Sequence, residues 1–266
     1  MSNVATKTKV SLFEINKENA IEFVVRYHYS PNFPKLTKYY LGVFKEGETE
    51  LLGVITLGWG TQPKQTINKI LPKIVGGYTT SDYFEIGKMC MHPSLLKNSE
   101  SQMMKELVSW LKELNKNREP PISFLYTMAD GIVGKAGYVY QASNFYYSES
   151  FWTSVYMDDD GNKIHIRSVR SLLDENNNWC KQNYPYWNKD KLHHLTLDFM
   201  ESIGMKRIYG LMFRYIYPLN KNAKKVLEDS GVWRRKDYPK SYDLIWKKKT
   251  VDGLVEIPQP DFNLNN

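Results

Sequence analysis

The chain has 266 residues, 42% hydrophobic and 24% charged, with 36 basic against 29 acidic side chains and a net charge of +7. These proportions suit one large domain or two small ones with a sizeable core, and they exclude wholesale disorder. Apolar runs such as Leu51 to Leu57 are too short to cross a bilayer, no apolar stretch follows the first lysines, and Cys90 and Cys180 make neither a disulfide scaffold nor a structural zinc site.

In chain order, Asn16 is placed to cap a helix running to about Tyr27, with Ile21, Val24 and Val25 on its buried side. Lys38–Phe44 and Glu50–Leu57 read as a hairpin around Gly47, and Tyr83–Met91 as a third strand ended by His92-Pro93. Ser99 to about Asn115 carries the clearest helical stripe, with Met103, Met104, Leu107, Val108, Leu111 and Leu114 recurring at three and four. Ser99 and Gln102 form a capping-box pattern at its start. A short buried strand at Ile122–Tyr126 and a short helix at Tyr138–Asn144 follow. Phe151–Met157 and Lys163–Arg167 then pair across Asp160-Gly161. An amphipathic helix at Lys189–Ile203 ends at Gly204, Arg207–Tyr217 is a long strand, and Asn220–Asp229 is the last helix before an irregular tail. The expectation is an α/β (α+β) fold, a mixed central sheet flanked by helices, with one domain over residues 1–249 and an acidic tail over 250–266.

The charge is concentrated. Ser202 to Lys249 holds thirteen basic and four acidic residues, a net of +9. Aromatic side chains are interleaved with these cations, and that mixture suits a nucleic-acid groove. Arg207, Arg214, Lys224, Lys225, Arg234, Arg235 and Lys236 are the candidate DNA contacts. A solvated basic face beside an aromatic core would give the same composition.

The run of strand, His92-Pro93, loop and helix resembles the core of the GNAT acyltransferase fold, where turn amides and a helix N-terminus hold the diphosphate of acetyl-CoA. Where that fold carries paired glycines, this chain has Lys97, Asn98, Ser99, Glu100 and Ser101. Ser99 and Ser101 offer amides, Glu100 brings a negative charge, and the capping box accounts for Ser99 without any ligand.

Leu125-Tyr126-Thr127-Met128-Ala129-Asp130, followed by Gly137-Tyr138-Val139-Tyr140-Gln141-Ala142-Ser143-Asn144, closely resembles the phage Mom family of DNA-modification proteins. Tyr27-His28-Tyr29-Ser30, Gly58-Trp59-Gly60-Thr61, Glu85-Ile86-Gly87-Lys88-Met89-Cys90 and Phe213-Arg214-Tyr215-Ile216-Tyr217 extend that resemblance in order. It implies a GNAT-like transferase that converts adenine in duplex DNA to a carbamoylmethylated form, shielding phage DNA from restriction. It also implies a host-cytoplasmic, nucleoid-associated protein, with acetyl-CoA or a related acyl-CoA as cofactor and a divalent metal such as iron as a further option.

The chemistry gives each block a role and a plainer alternative. Asp130, just past a buried strand, would take the proton of a poorly nucleophilic amine, or would cap its turn. His28 and Tyr29 would ligate a metal together with Asp130, or would pack a helix end. Glu85 and Lys88 fall on opposite faces of a strand, with Glu85 assigned to the cleft; a bulge would reverse this. Tyr126 and Ser143 offer hydrogen bonds near the Asp130 turn, and Gln141 and Asn144 would hold an amide; otherwise they satisfy backbone groups. Asp158 to Asp160 read as a hairpin turn, the adjacent His193 and His194 diverge on a helix, and His165 faces solvent or DNA. Two rival functions fit the same residues: a GNAT acetyltransferase of a small or protein amine, and a non-catalytic DNA-binding protein.

Overall fold

The computed structural model describes residues 9–30, 32–73, 77–96, 98–165, 197–202 and 204–264. Strand β1 (Val10–Glu14) leads into helix α1 (Lys17–Tyr27), which Asn16 caps by accepting the Asn19 amide at 2.8 Å. The buried side of α1 is Ala20, Phe23 and Val24; Val25, expected inside, is exposed. The hairpin β2 (Thr37–Lys45) and β3 (Leu51–Gly58) turns through Gly47 at φ +80°, and β4 (Tyr83–Met91) follows. Helix α2 (Ser99–Lys116) buries Met103, Met104, Leu107 and Leu111. Its N-cap is Asn98 in the left-handed region at φ 75°, with no side-chain cap. The expected capping box does not form, because the Ser99 hydroxyl is buried and donates to the Leu96 carbonyl at 2.5 Å.

Strand β5 (Phe124–Asp130) runs to Asp130 itself, and a 3-10 turn (Gly131–Val133) and helix α3 (Tyr138–Ala142) follow. Strands β6 (Tyr146–Met157) and β7 (Lys163–His165), helix α4 (Leu197–Ser202), strand β8 (Lys206–Pro218) and helix α5 (Lys221–Asp229) come next. The tail is not irregular: β9 (Trp246–Thr250) and β10 (Gly253–Ile257) form a hairpin, and Phe262 is buried beyond it. Lys97, the start of the expected 189–203 helix, Cys180, His193 and His194 lie outside the described residues.

The sheet order is β1-β2-β3-β4-β5-β8-β6-β7, with β9 attached to β8 and β10 to β9. Every pairing is antiparallel except β4 with β5. Helix α1 packs on β2, β3 and β4, and α2 packs against β1, so helices flank the mixed sheet as expected. No helix among the described residues is long and apolar enough to cross a membrane.

Candidate active site

The parallel pair that defines the site is short. β4 and β5 are in register only over Tyr83–Glu85 with Phe124–Tyr126. Beyond Glu85 and Tyr126 the two strands part, and backbone groups that would have satisfied each other border a gap. A cleft of about 950 Å³ occupies that gap, lined by Glu85 to Met91 on one side and Thr127 to Asp130 on the other. Tyr27 to Ser30 at the end of α1, Asn98 to Ser101 at the start of α2, and Gly134 to Tyr140 complete the wall.

Asp130 ends β5 opposite Met212 of β8. Its side chain caps no amide of the 3-10 turn that it opens. The carboxylate instead stands 3.9 Å from the Lys163 ammonium of β7, with about a quarter of its side chain exposed. Lys163 also lies 5.0 Å from the centre of the Tyr29 ring, and Tyr29 stacks on His28 with centroids 4.4 Å apart. Lys88 donates to the Ser30 carbonyl at 2.7 Å and to its hydroxyl at 3.1 Å.

Electrostatics follow from that crowding. Burial, reinforced by Lys88 and Lys163, lowers the His28 pKa to about 4, so its ring is neutral. Burial and then Lys163 lower Lys88 to about 8, against the pull of Asp130. Burial also lowers Lys163, again opposed by Asp130. Burial and Asp130 push the Tyr29 phenol upward, keeping it protonated. Cys90 is buried and its thiol is raised to about 11, which makes it a poor nucleophile.

The expected separation of Glu85 and Lys88 is overturned by a bulge. Thr56 pairs with Lys88 while its neighbour Leu57 pairs with Ile86, leaving Gly87 as the extra residue. Glu85 and Lys88 both reach the cleft wall as a result. Gly60 makes room for Glu85: a Cβ there, at φ +64°, would come 2.2 Å from the carboxylate. Tyr126 shares a face of β5 with Met128 and Asp130 but is buried with Tyr83 and Phe124 and is not part of the cleft wall. Burial and Glu85 raise its phenol, and it hydrogen-bonds with Arg214.

At the other end, Asn98, Ser99 and Ser101 line the cleft at the uncapped N-terminus of α2. An uncapped helix end opening on a cleft of this volume fits the diphosphate end of an acyl-CoA, although Glu100 stands in the same first turn. Gln141, Ser143 and Asn144 are not on the cleft wall. The Gln141 amide donates to the Pro239 carbonyl at 2.8 Å and to the Tyr215 hydroxyl at 3.0 Å. Asn144 takes the left-handed conformation that ends α3, at φ 61°, and the Ser143 hydroxyl is buried without a hydrogen-bond partner among the described residues. Gly137 opens α3 at φ +86°, where a Cβ would meet the Tyr215 ring at 2.5 Å.

Around His28, Tyr29 and Asp130 the charge disfavours a metal cation, since Lys88 and Lys163 already bring positive charge beside them. The neutral His28 ring turns its Nδ1 to the Ser30 amide at 3.0 Å, which leaves Nε2 as its one ligating atom. Among the described residues no group of three or more His, Cys, Asp or Glu gathers as a metal site.

The basic region divides into engaged and open cations. Arg214 pairs with Glu149 at 2.9 Å and covers Phe151 at 4.2 Å, so it is built into the sheet. Arg207 donates to Ser154 at 3.2 Å and covers Tyr209, and Arg234 exchanges backbone hydrogen bonds with Tyr147. Lys224, Lys225, Arg235 and Lys236 are exposed, with Lys224 3.7 Å from Glu228 and Arg235 over Tyr146. Sequence reasoning missed Lys163, which lies 33 positions from Asp130; its only signal was a lysine opening a half-buried strand.

The depressed His28 pKa sets a pH dependence. Below about 6.5 the unfolded chain takes up a proton that the folded chain refuses until about pH 4. Stability therefore falls as pH drops through that window and is unaffected by this group above it. His28→Asn, which keeps an acceptor for the Ser30 amide, is expected to flatten the loss. Urea midpoints at about pH 7, 5.5 and 4.5 check this, and an unchanged acid slope would refute it.

The Mom protein family matches residues 9–240 of the chain. Methylcarbamoylase mom of Escherichia phage Mu is 27% identical over 213 residues, covering 80% of this chain and 76% of that protein. Among solved structures, a putative acetyltransferase from Acinetobacter baylyi ADP1 is 14% identical with a TM-score of 0.35, covering 56% of this chain and 84% of that one. A GNAT family N-acetyltransferase from Escherichia coli in complex with CoA is 11% identical with a TM-score of 0.32, covering 54% of this chain and 72% of that one.

Proposed function

This chain belongs to the Mom protein family, and from that premise we propose that it is a transferase that modifies the N6 amine of adenine in DNA. The observation that carries the reading is Asp130: its carboxylate caps nothing in its own turn and stands in the gap between the parting strands, beside Lys163. In this reading N6 forms a bond to the donor carbon as that carbon's bond to its leaving group breaks, and the N6 proton passes to Asp130, while Lys163 holds the carboxylate in place. Lys88, fixed by Ser30, adds positive charge to the same wall.

An acyl-CoA supplies a thioester-activated group, and Asn98, Ser99 and Ser101 would hold its diphosphate end. The group we assign to the reaction is carbamoylmethyl, in keeping with the relative named methylcarbamoylase. That group joins N6 through a methylene carbon, whereas attack on a thioester carbonyl ends in an amide. Delivering it therefore requires, besides the acyl-CoA, a leaving group or a two-electron oxidant at the methylene carbon and a donor of the amide nitrogen. The target base must leave the stack to reach the cleft, because N6 is engaged in pairing within a duplex. The outcome for phage or mobile-element DNA would be protection from restriction.

Nucleoside mass spectrometry of DNA from cells expressing the protein tests this reading, with a modified deoxyadenosine as the expected product. Unchanged bases together with CoA release on a small amine would replace it by an amine acetyltransferase. Unchanged bases with DNA affinity alone would leave a non-catalytic binder.

The open cations carry the DNA surface in this reading. Replacing Lys224, Lys225, Arg235 and Lys236 by alanine should weaken binding to all sequences alike. It should also flatten the plot of log affinity against log salt by up to about 0.9 for each phosphate no longer neutralised. An unchanged slope would move the surface elsewhere.

A further inference from the structure

Tyr138 on the cleft wall and Tyr242 in the turn hydrogen-bonded to it present exposed rings outside the core. Tyr138 is half exposed and is part of the cleft wall. Tyr242 is 83% exposed, makes no ring contact or hydrogen bond among the described residues, and contributes nothing to the core. The turn that carries Tyr242 is nonetheless held firmly. Ser241 donates its amide to the Tyr138 hydroxyl at 2.9 Å, Lys240 donates its amide to the Asp243 carboxylate at 2.8 Å, and the Asp243 amide donates to the Lys240 carbonyl at 3.1 Å. Gln141 ties Pro239 and the Lys240 ammonium to α3. Lys240, next but one to Tyr242 in sequence, lies 5.8 Å from the Tyr138 ring centre, and the exposed Lys135 is a further cation on the cleft wall.

A solvent-facing aromatic ring carried on a fixed turn, with lysines nearby, has the chemistry of a stacking platform for unpaired nucleotides. Every base offers a π-face, and the ammonium groups neutralise the adjoining phosphates. We propose that Tyr242, with Tyr138, forms an aromatic lip that stacks on unpaired DNA bases at the mouth of the cleft. The proposal rests on the DNA reading above and adds the residues that hold the strand once a base has left its stack. Tyr242 is a positioning residue here, since it stands outside the cleft wall.

Its exposure makes Tyr242 a clean position to vary, because the fold does not pack on it. The test is fluorescence anisotropy of a labelled single-stranded oligodeoxynucleotide of mixed sequence, and of the matching duplex, with the full-length protein at low salt. Tyr242→Ala should weaken single-strand binding about 10- to 100-fold. Binding to the duplex, whose bases are already stacked, should change by less than about 3-fold. Tyr242→Phe and Tyr242→Trp should retain single-strand affinity, because the ring and not the hydroxyl does the stacking. Wild-type affinity in Tyr242→Ala, or a loss in Tyr242→Phe equal to that in alanine, would overturn the lip and leave the DNA reading standing. A wild-type protein that binds neither nucleic acid would overturn both.

Discussion

Asp130→Asn is expected to bring adenine modification close to background, a fall of about 10²- to 10⁴-fold, in a protein that folds and binds DNA as before. Asparagine keeps the shape of aspartate and one hydrogen-bond acceptor but cannot take the proton. It is also as good as aspartate at a turn, so a purely structural Asp130 would tolerate the change. The local geometry separates these outcomes. β5 is held to Asp130 by its pairing with β8, and the turn from Gly131 to Val133 receives no cap from the carboxylate. Folding therefore does not depend on the charge, whereas the ion pair that Asp130 makes with Lys163 does. Nucleoside mass spectrometry and a thermal melt on the same preparation check both halves. Near-normal modification would move the proton to another acceptor. Glu85 is then the next candidate, since it shares the cleft wall, whereas Tyr126, on the same face of β5 as Asp130, is buried and off that wall.

Phe84→Ala should give the largest loss of stability, about 3–5 kcal/mol. Phe84 is fully buried and sits opposite Leu125 in the middle of the short pairing that joins β4 to β5. Its ring meets Tyr39 edge-on at 5.5 Å and Trp59 at 6.0 Å, with the Arg118 guanidinium 5.9 Å from its centre. Removing it leaves a cavity at the point where the strands begin to part. For a chain of this size the loss corresponds to a melting temperature lower by roughly 6–20 °C. It is also a large share of a typical total stability of about 5–15 kcal/mol. Urea unfolding measures it directly. A cost below about 1 kcal/mol would mean that the base of the cleft is not a packed joint.

Elements written in local periodicity are legible in the amino-acid order alone. The stripe from Met103 to Leu111, the Asn16 cap, the Gly47 hairpin and the alternation of Tyr83–Met91 each depend on residues within a few positions of one another. The motif blocks are legible too, and the fold gives several of them steric reasons: Gly60 yields to Glu85, and Gly137 yields to Tyr215. Whatever depends on register across long separations is not. One extra residue, Gly87, turns Lys88 onto the cleft wall, and no alternation pattern announces a bulge. Arg214 has the look of a free cation until folding brings Glu149 and Phe151 beside it. The tail reads as irregular because β10 becomes a strand only by pairing with β9, and Phe262 only finds a core beyond that hairpin. The sequence by itself determined the helices α1, α2 and α5, the central strands and which residues have the chemistry for a site, but not the strands β1, β9 and β10. Only the tertiary structure decided that β4 and β5 part after three residue pairs and that Lys163 meets Asp130. Strand pairing and ion pairing across the fold are settled by the packing of distant segments, and no local pattern encodes them.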